Sequence, residues 1–129
     1  MPTITRSYHF CAAHKYWNPN WDPIRNEKEF GKDIHVHGHN YKVEISIKGP
    51  VNKENGFVVN LSLIDSAVNP IIEKLDHSQI EQDIEWFFGK QPSSENLAIY
   101  FWENIENKIE KPSELVNVRI YETERIYTD

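Results

Sequence analysis

An internal disulfide is impossible in this chain, because Cys11 is its only cysteine among 129 residues. The same scarcity rules out a cysteine-rich zinc cluster and suits a reducing compartment. Long apolar runs are missing as well, and none approaches the roughly 20 residues a helical membrane span needs. The opening MPTITRSYHF lacks the basic-then-apolar plan of a secretory signal, so a cytoplasmic protein is expected. Basic residues are outnumbered, 14 Lys and Arg against 20 Asp and Glu, for a net charge of −6. That balance argues against a broad surface for nucleic acid or anionic membrane, both of which need clustered cations. Internal repeats and low-complexity segments are absent. With 39% hydrophobic and 12% aromatic residues, the chain has the composition of one globular domain, residues 1–129. That length buries about two-thirds of the unfolded surface.

Apolar periodicity divides the chain into short elements. Residues 3–14, TITRSYHFCAAH, alternate as a strand with Tyr8, Phe10, Ala12 and His14 on one face and His9, Cys11 and Ala13 on the other. Residues 15–33 hold two prolines and two tryptophans and read as a long structured loop, with a helical turn near RNEKEF. A strand follows over 37–48, then a turn at 49–56 and a short strand, FVVNL, at 57–61, which together signal a hairpin. Residues 61–75 place Ile64, Val68, Ile71, Ile72 and Leu75 at helical spacing, with Ser62 and Asp65 in capping-box positions and Pro70 as a kink. Residues 76–92 read mostly as loop. A second helix is expected over 93–110, with serine caps and a stripe of Leu97, Phe101, Ile105 and Ile109. A last strand, 115–124, puts Val116, Val118 and Ile120 on one face, with Glu122 in the same parity. The order β, β, β, α, α, β implies an α+β fold with an antiparallel sheet and two helices on one face. A single helical layer leaves the other sheet face in need of a partner, which makes oligomerisation through the sheet an expectation.

The segment DIHVHGHNY places His35, His37 and His39 at alternate positions that continue the apolar row Tyr41, Val43, Ile45 and Ile47. Imidazoles on a core-facing row must be packed, hydrogen-bonded or bound to a metal. His14, at the end of another strand, makes a third donor beside the His37–His39 pair, and three histidines with one open position form the arrangement of a catalytic zinc. Asp76 and His77 pair an acid with an imidazole, a unit that serves proton transfer or simply ends a helix. Glu122, closing an apolar row, either reaches solvent or receives hydrogen bonds from a ligand with a row of N–H donors.

Read in order, FCAAH, FGK, HGHNY, NGFVVNL, LDH, PSSENLA and VRIYET resemble the 6-pyruvoyltetrahydropterin synthase / 6-carboxytetrahydropterin synthase family over nearly the whole chain. The resemblance implies the tunnelling fold (T-fold): four antiparallel strands backed by two helices, with trimers closing a barrel and stacking into a homohexamer. It also implies that His14, His37 and His39 ligate Zn2+ and that Asp76 and His77 form the acid–base pair. By the same resemblance Glu122 anchors a pterin through its 2-amino and N3–H groups, Ser94 and Glu95 help to line the pocket, and the sites lie at subunit interfaces.

One position departs from the family. Members with full lyase activity carry a cysteine base ahead of HGH, where this chain has Asp33, four residues before His37. Cys11 cannot replace it, since strand parity turns it away from His14. The leading expectation is a zinc-dependent lyase that converts 7,8-dihydroneopterin triphosphate to 6-carboxytetrahydropterin or 6-pyruvoyltetrahydropterin, with Asp33 as base. One alternative is folate-type cleavage of dihydroneopterin to 6-hydroxymethyldihydropterin. Another is a non-catalytic pterin- or purine-binding homologue, and a third is a generic zinc hydrolase. The Trp17–Trp21 loop is expected to pack beneath the site rather than to line it.

Overall fold

In a computed structural model describing Met1–Asp129, the two alternating histidine-bearing segments form strands of 12 residues each, β1 (Thr3–His14) and β2 (His37–Lys48). They pair antiparallel along their full length, from Thr3 opposite Lys48 to His14 opposite His37. β3 (Glu114–Thr123) takes the other edge of β2, and β4 (Ile126–Thr128) pairs with β3, giving the sheet order β1-β2-β3-β4. The helices are α1 (Pro23–Phe30), α2 (Leu61–Leu75), the single turn α3 (Ile80–Asp83) and α4 (Ser94–Ile105).

α2 and α4 cover one face of the sheet. Ile64, Val68, Ile71 and Leu75 from α2 and Leu97, Phe101 and Ile105 from α4 meet Phe10, Tyr41, Val43, Ile45 and Ile120 in one core. Each such side chain, once fully buried, contributes about 1.5–3 kcal/mol. The other face is open and polar. Thr5 and Ser46 share a hydrogen bond of 2.8 Å across it, Lys42 lies over the Tyr121 ring, and Arg119 over Tyr127.

Several expectations need correction. Residues 57–61 are not a strand: both edges of β2 are already occupied by β1 and β3, so no hairpin partner is available. Asn52 and Asn55 instead curl the connection by accepting from the amides of Glu54 and Phe57, and Asn60 ends it by capping α2. The fourth strand is β4, whose three residues are too few to show a period. Asn60, not Ser62, is thus the cap of α2, and Asp65 turns to the sheet, where it accepts from Arg6 and from Tyr8 Oη at 2.5 Å. α2 continues through Pro70 to Leu75. A β-bulge shifts the β2–β3 register between Ser46 and Ile47. It moves Val116 to the surface and puts Leu115 into the core in its place. α4 ends at Ile105 and a 3-10 turn over Glu106–Lys108 brings Ile109 back to the core. Ser93 caps it as expected, accepting from the Asn96 amide.

The 15–33 segment is more ordered than its composition suggests. Asp22 accepts from the Arg25 amide, and Pro23 sits in the first turn, where its missing N–H is not needed. Asn26, fully buried, ties the loop down: its Oδ1 accepts from Asn18 N at 2.7 Å, and its Nδ2 donates to Asn18 O at 3.0 Å and Asp22 O at 3.1 Å. Removing that side chain strands buried peptide groups, so Asn26→Ala should lower stability by about 1–3 kcal/mol. Urea unfolding followed by tryptophan fluorescence measures the loss.

Candidate metal centre

The β1–β2 ladder brings the first two histidines together, since His14 is the last residue of β1 and its register partner is His37, the first of β2. His39, two residues further along β2, falls on the same face by strand period. Gly38 between them allows the close approach, because a Cβ there would lie 3.2 Å from the Ala12 carbonyl oxygen. The ring centroids of the three histidines stand 4.5, 5.0 and 5.2 Å apart. One ligand atom from each lies within 4.8 Å of the others.

Hydrogen bonding defines which nitrogens face inward. His14 Nδ1 is 2.9 Å from the Pro92 carbonyl oxygen and His37 Nδ1 is 2.7 Å from that of His35. A carbonyl only accepts, so both rings carry hydrogen on Nδ1 and a lone pair on Nε2. Those two Nε2 atoms face each other at 3.0 Å, a repulsive approach unless a cation or proton lies between them. This donor set therefore fits a metal such as zinc, with outer contacts that orient each ring. Burial lowers the His14 pKa, against the opposing pull of the Pro92 carbonyl. It thereby favours the neutral ring that binds metal. His35 stays outside the group, exposed at the end of a 3-10 turn over Gly31–Ile34.

Two carboxylates flank the cluster. Glu122, at the end of β3, places Oε1 at 3.1 Å from His39 Nε2 and 3.4 Å from His14 Nε2. Asp33, on the 3-10 turn, reaches within 3.7 Å of His37 Nε2, and its carbonyl accepts from the Tyr16 amide at 2.8 Å. β2–β3 pairing stops at Lys42 and Tyr121. Beyond it opens a cleft of about 610 Å³ lined by His39, Glu122, Asn40, Lys42 and Tyr121.

The Asp76–His77 pair forms but lies elsewhere. Asp76 follows α2; one of its oxygens accepts from Cys11 N at 2.9 Å and the other contacts His77 Nδ1 at 2.8 Å. The Cys11 amide, and then His77, hold its carboxyl below the usual range. His77 is in the left-handed region, φ 63°, and its ring is 82% exposed. His77 N donates to Cys11 O and Ala13 N to Ser78 O, so this segment runs beside the outer edge of β1, joined by a parallel bridge from Ala13 to Gln79. The pair makes no contact with the three-histidine cluster. Ser94, buried at the start of α4, donates to Glu95 at 2.8 Å and bonds Thr128 at 2.9 Å.

Tyr16 escaped the sequence reading. Its ring centroid is 5.0 Å from that of His14 and it stacks on Phe30, which stacks on Trp21. Burial, and then the charges of Glu122, Glu95 and Asp33, raise its phenol pKa, so it stays a proton-bearing donor. Extending the parity of His14 by two residues would have found it. Trp21 packs in the stack as expected, whereas Trp17 is exposed.

Comparison with known proteins agrees with this geometry. The family profile for 6-pyruvoyl tetrahydropterin synthase matches residues 3–129. A Drosophila melanogaster 6-pyruvoyl tetrahydrobiopterin synthase is 39% identical over 93% of this chain and 73% of its own length. The Homo sapiens protein of that name is 32% identical over 94% and 85%. The solved Caenorhabditis elegans 6-pyruvoyl tetrahydropterin synthase superposes with a TM-score of 0.90 at 31% identity, over 99% of this chain and 94% of that one.

A direct test of the centre is elemental analysis of purified protein, with an expected ratio of about one divalent ion per chain. Because loss of even an outer-shell contact typically costs 10–100-fold in metal affinity, His37→Ala should lower occupancy to near background.

Proposed function

The chain belongs to the 6-pyruvoyl tetrahydropterin synthase family, and on that premise we propose that it is a zinc-dependent lyase. Its substrate is 7,8-dihydroneopterin triphosphate and its product 6-pyruvoyl- or 6-carboxytetrahydropterin. The observation that carries this reading is the convergence of His14, His37 and His39 beside the Glu122 carboxylate at the mouth of a cleft. A bound zinc would supply Lewis-acid stabilisation of negative charge developing on a side-chain oxygen of the pterin.

The chain's own groups do the rest. Glu122 is the acceptor for the adjacent N3–H and 2-amino donors of the pterin ring, a paired recognition that fixes its orientation. Asp33 takes the proton from the side-chain carbon. A carboxylate is a weaker base than the thiolate relatives place there, so positioning next to the metal centre has to compensate. Tyr16 offers a protonated hydroxyl to the bound side chain. In a homohexamer, the exposed His77, oriented by Asp76, completes the site of a neighbouring subunit as the second proton carrier. Ser94 and Glu95 line the far side of the pocket. The single cysteine suits the reducing cytoplasm assigned to it here. No helix is long and apolar enough to cross a membrane.

Asp33 also favours one rival, the folate-type cleavage of dihydroneopterin to 6-hydroxymethyldihydropterin, because an acidic residue serves as base in that branch. Chromatography of products after incubation with each substrate separates the two: a tetrahydropterin from the triphosphate supports the lyase, and hydroxymethyldihydropterin from dihydroneopterin overturns it. In either case Asp33→Ala should lower kcat by about 10²–10⁴-fold. Pterin binding without turnover in the native chain, restored to turnover by Asp33→Cys, would instead identify a homologue that lost its base.

A further inference from the structure

The carbonyl that orients His14 belongs to a stretch with no regular structure of its own. His14 Nδ1 has two oxygens beside it, Pro92 O at 2.9 Å and Tyr41 Oη at 3.2 Å. A hydroxyl can donate or accept and so leaves the ring free to take either tautomer, whereas a carbonyl can only accept. Pro92 O is therefore the atom that keeps hydrogen on Nδ1 and the lone pair of Nε2 turned toward the cluster. Residues 91–93 lie between a turn and the start of α4, outside any helix or strand. No ladder fixes that carbonyl in place.

Two amide side chains do so instead. Asn96 Nδ2 donates to Gln91 O at 2.8 Å and holds the peptide that leads into Pro92. The Gln91 side chain accepts from Trp17 N at 3.1 Å and donates to Trp17 O at 2.9 Å, engaging both backbone groups of a residue just past His14. These two bonds act as a rung between segments that share no sheet pairing, and they lay Pro92 alongside the end of β1. We propose that Gln91 and Asn96 are positioning residues of the metal centre: they hold the Pro92 carbonyl against His14 and so keep its Nε2 aimed at a divalent cation. His37 takes its orientation from the His35 carbonyl, on a different segment, and is independent of them. The role toward the ion rests on the zinc reading above; the hold on the His14 ring does not.

Two measurements on the full-length chain test this: nitrogen NMR of labelled histidine in the metal-free protein, and Co2+ titration against a competing chelator. Asn96→Asp keeps the side chain's shape but sets an acceptor against Gln91 O. It is the third residue of α4, where the helix dipole favours an acid, so the melting midpoint of the metal-free variant should hold. Gln91→Ala removes the rung to Trp17. In both variants the His14 signal should change from a single Nδ1–H tautomer to a mixture while that of His37 stays, and Co2+ affinity should fall about tenfold or more. For Asn96→Asp this fall runs against the added negative charge, which alone would strengthen cation binding. Asn104→Ala, which deletes an amide-to-carbonyl bond to Tyr100 on the same helix, should change neither readout. An unchanged His14 tautomer in both variants overturns the proposal whatever the affinity does, and so does an equal change at His14 and His37, which marks general loosening. Native Co2+ affinity in both variants overturns the role toward the ion. A native chain that takes up no Co2+, but whose His14 tautomer still depends on Asn96, sinks the zinc reading and upholds the hold on His14.

Discussion

The rung that joins His14 to His37 at the end of the β1–β2 ladder is the constraint on which the rest of the structure depends. Strand side chains alternate faces, so a slip of one residue would send His37 and His39 to the polar face and Val43, Ile45 and Ile47 with them. The core therefore enforces the site: the same apolar row that seals the sheet against α2 and α4 delivers three imidazoles to one point. Tyr41 marks the junction, stacked on Phe10 at 4.7 Å below while its hydroxyl comes within 3.2 Å of His14 Nδ1 above. No separate scaffold is needed to hold the ligand set. The stability of the hydrophobic layer is what pre-organises it.

Around that point the chain arranges groups of different reach. Glu122 arrives from β3 where its pairing with β2 gives out, and Asp33 arrives from a turn anchored through Tyr16. The column of Tyr16, Phe30 and Trp21, with Arg25 over the indole at 4.0 Å, links that turn to α1 and to the loop tied by Asn26. A loop of polar and aromatic residues is in this way made part of the site's foundation. Its peptide groups are tied down by one buried amide.

Much of this was legible in the residues. The alternation of 3–14 and 37–48 and the stripe of α2 are long enough to show their periods, and parity places His37 and His39 on the core side, although it also enrols His35, which the 3-10 turn leaves exposed. What escaped did so for physical reasons. The bulge at Val116 breaks parity by one residue, an event that alternation cannot foresee. The FVVNL segment has the composition of a strand but no free edge to join, and β4 has an edge but too few residues to announce itself. The cap at Asn60 lost to Ser62 in the reading because Asp65 completes a capping-box spacing, whereas in the fold that carboxylate answers Arg6 and Tyr8 across 57 or more residues of sequence. Nor does spacing reveal that Asp76 and His77, adjacent to each other, would sit away from the histidine cluster.

The segment that follows Asp76 has a topological effect beyond its chemistry. By running parallel to β1 it consumes the outward peptide groups of Cys11 and Ala13. The remaining outward groups of that strand, at Thr3, Thr5, Ser7 and His9 by alternation, stay available for pairing. Any further strand laid against this rim is thus limited to the amino-terminal portion of β1 and halted before His77. The fold carries a built-in ruler for whatever extends the sheet.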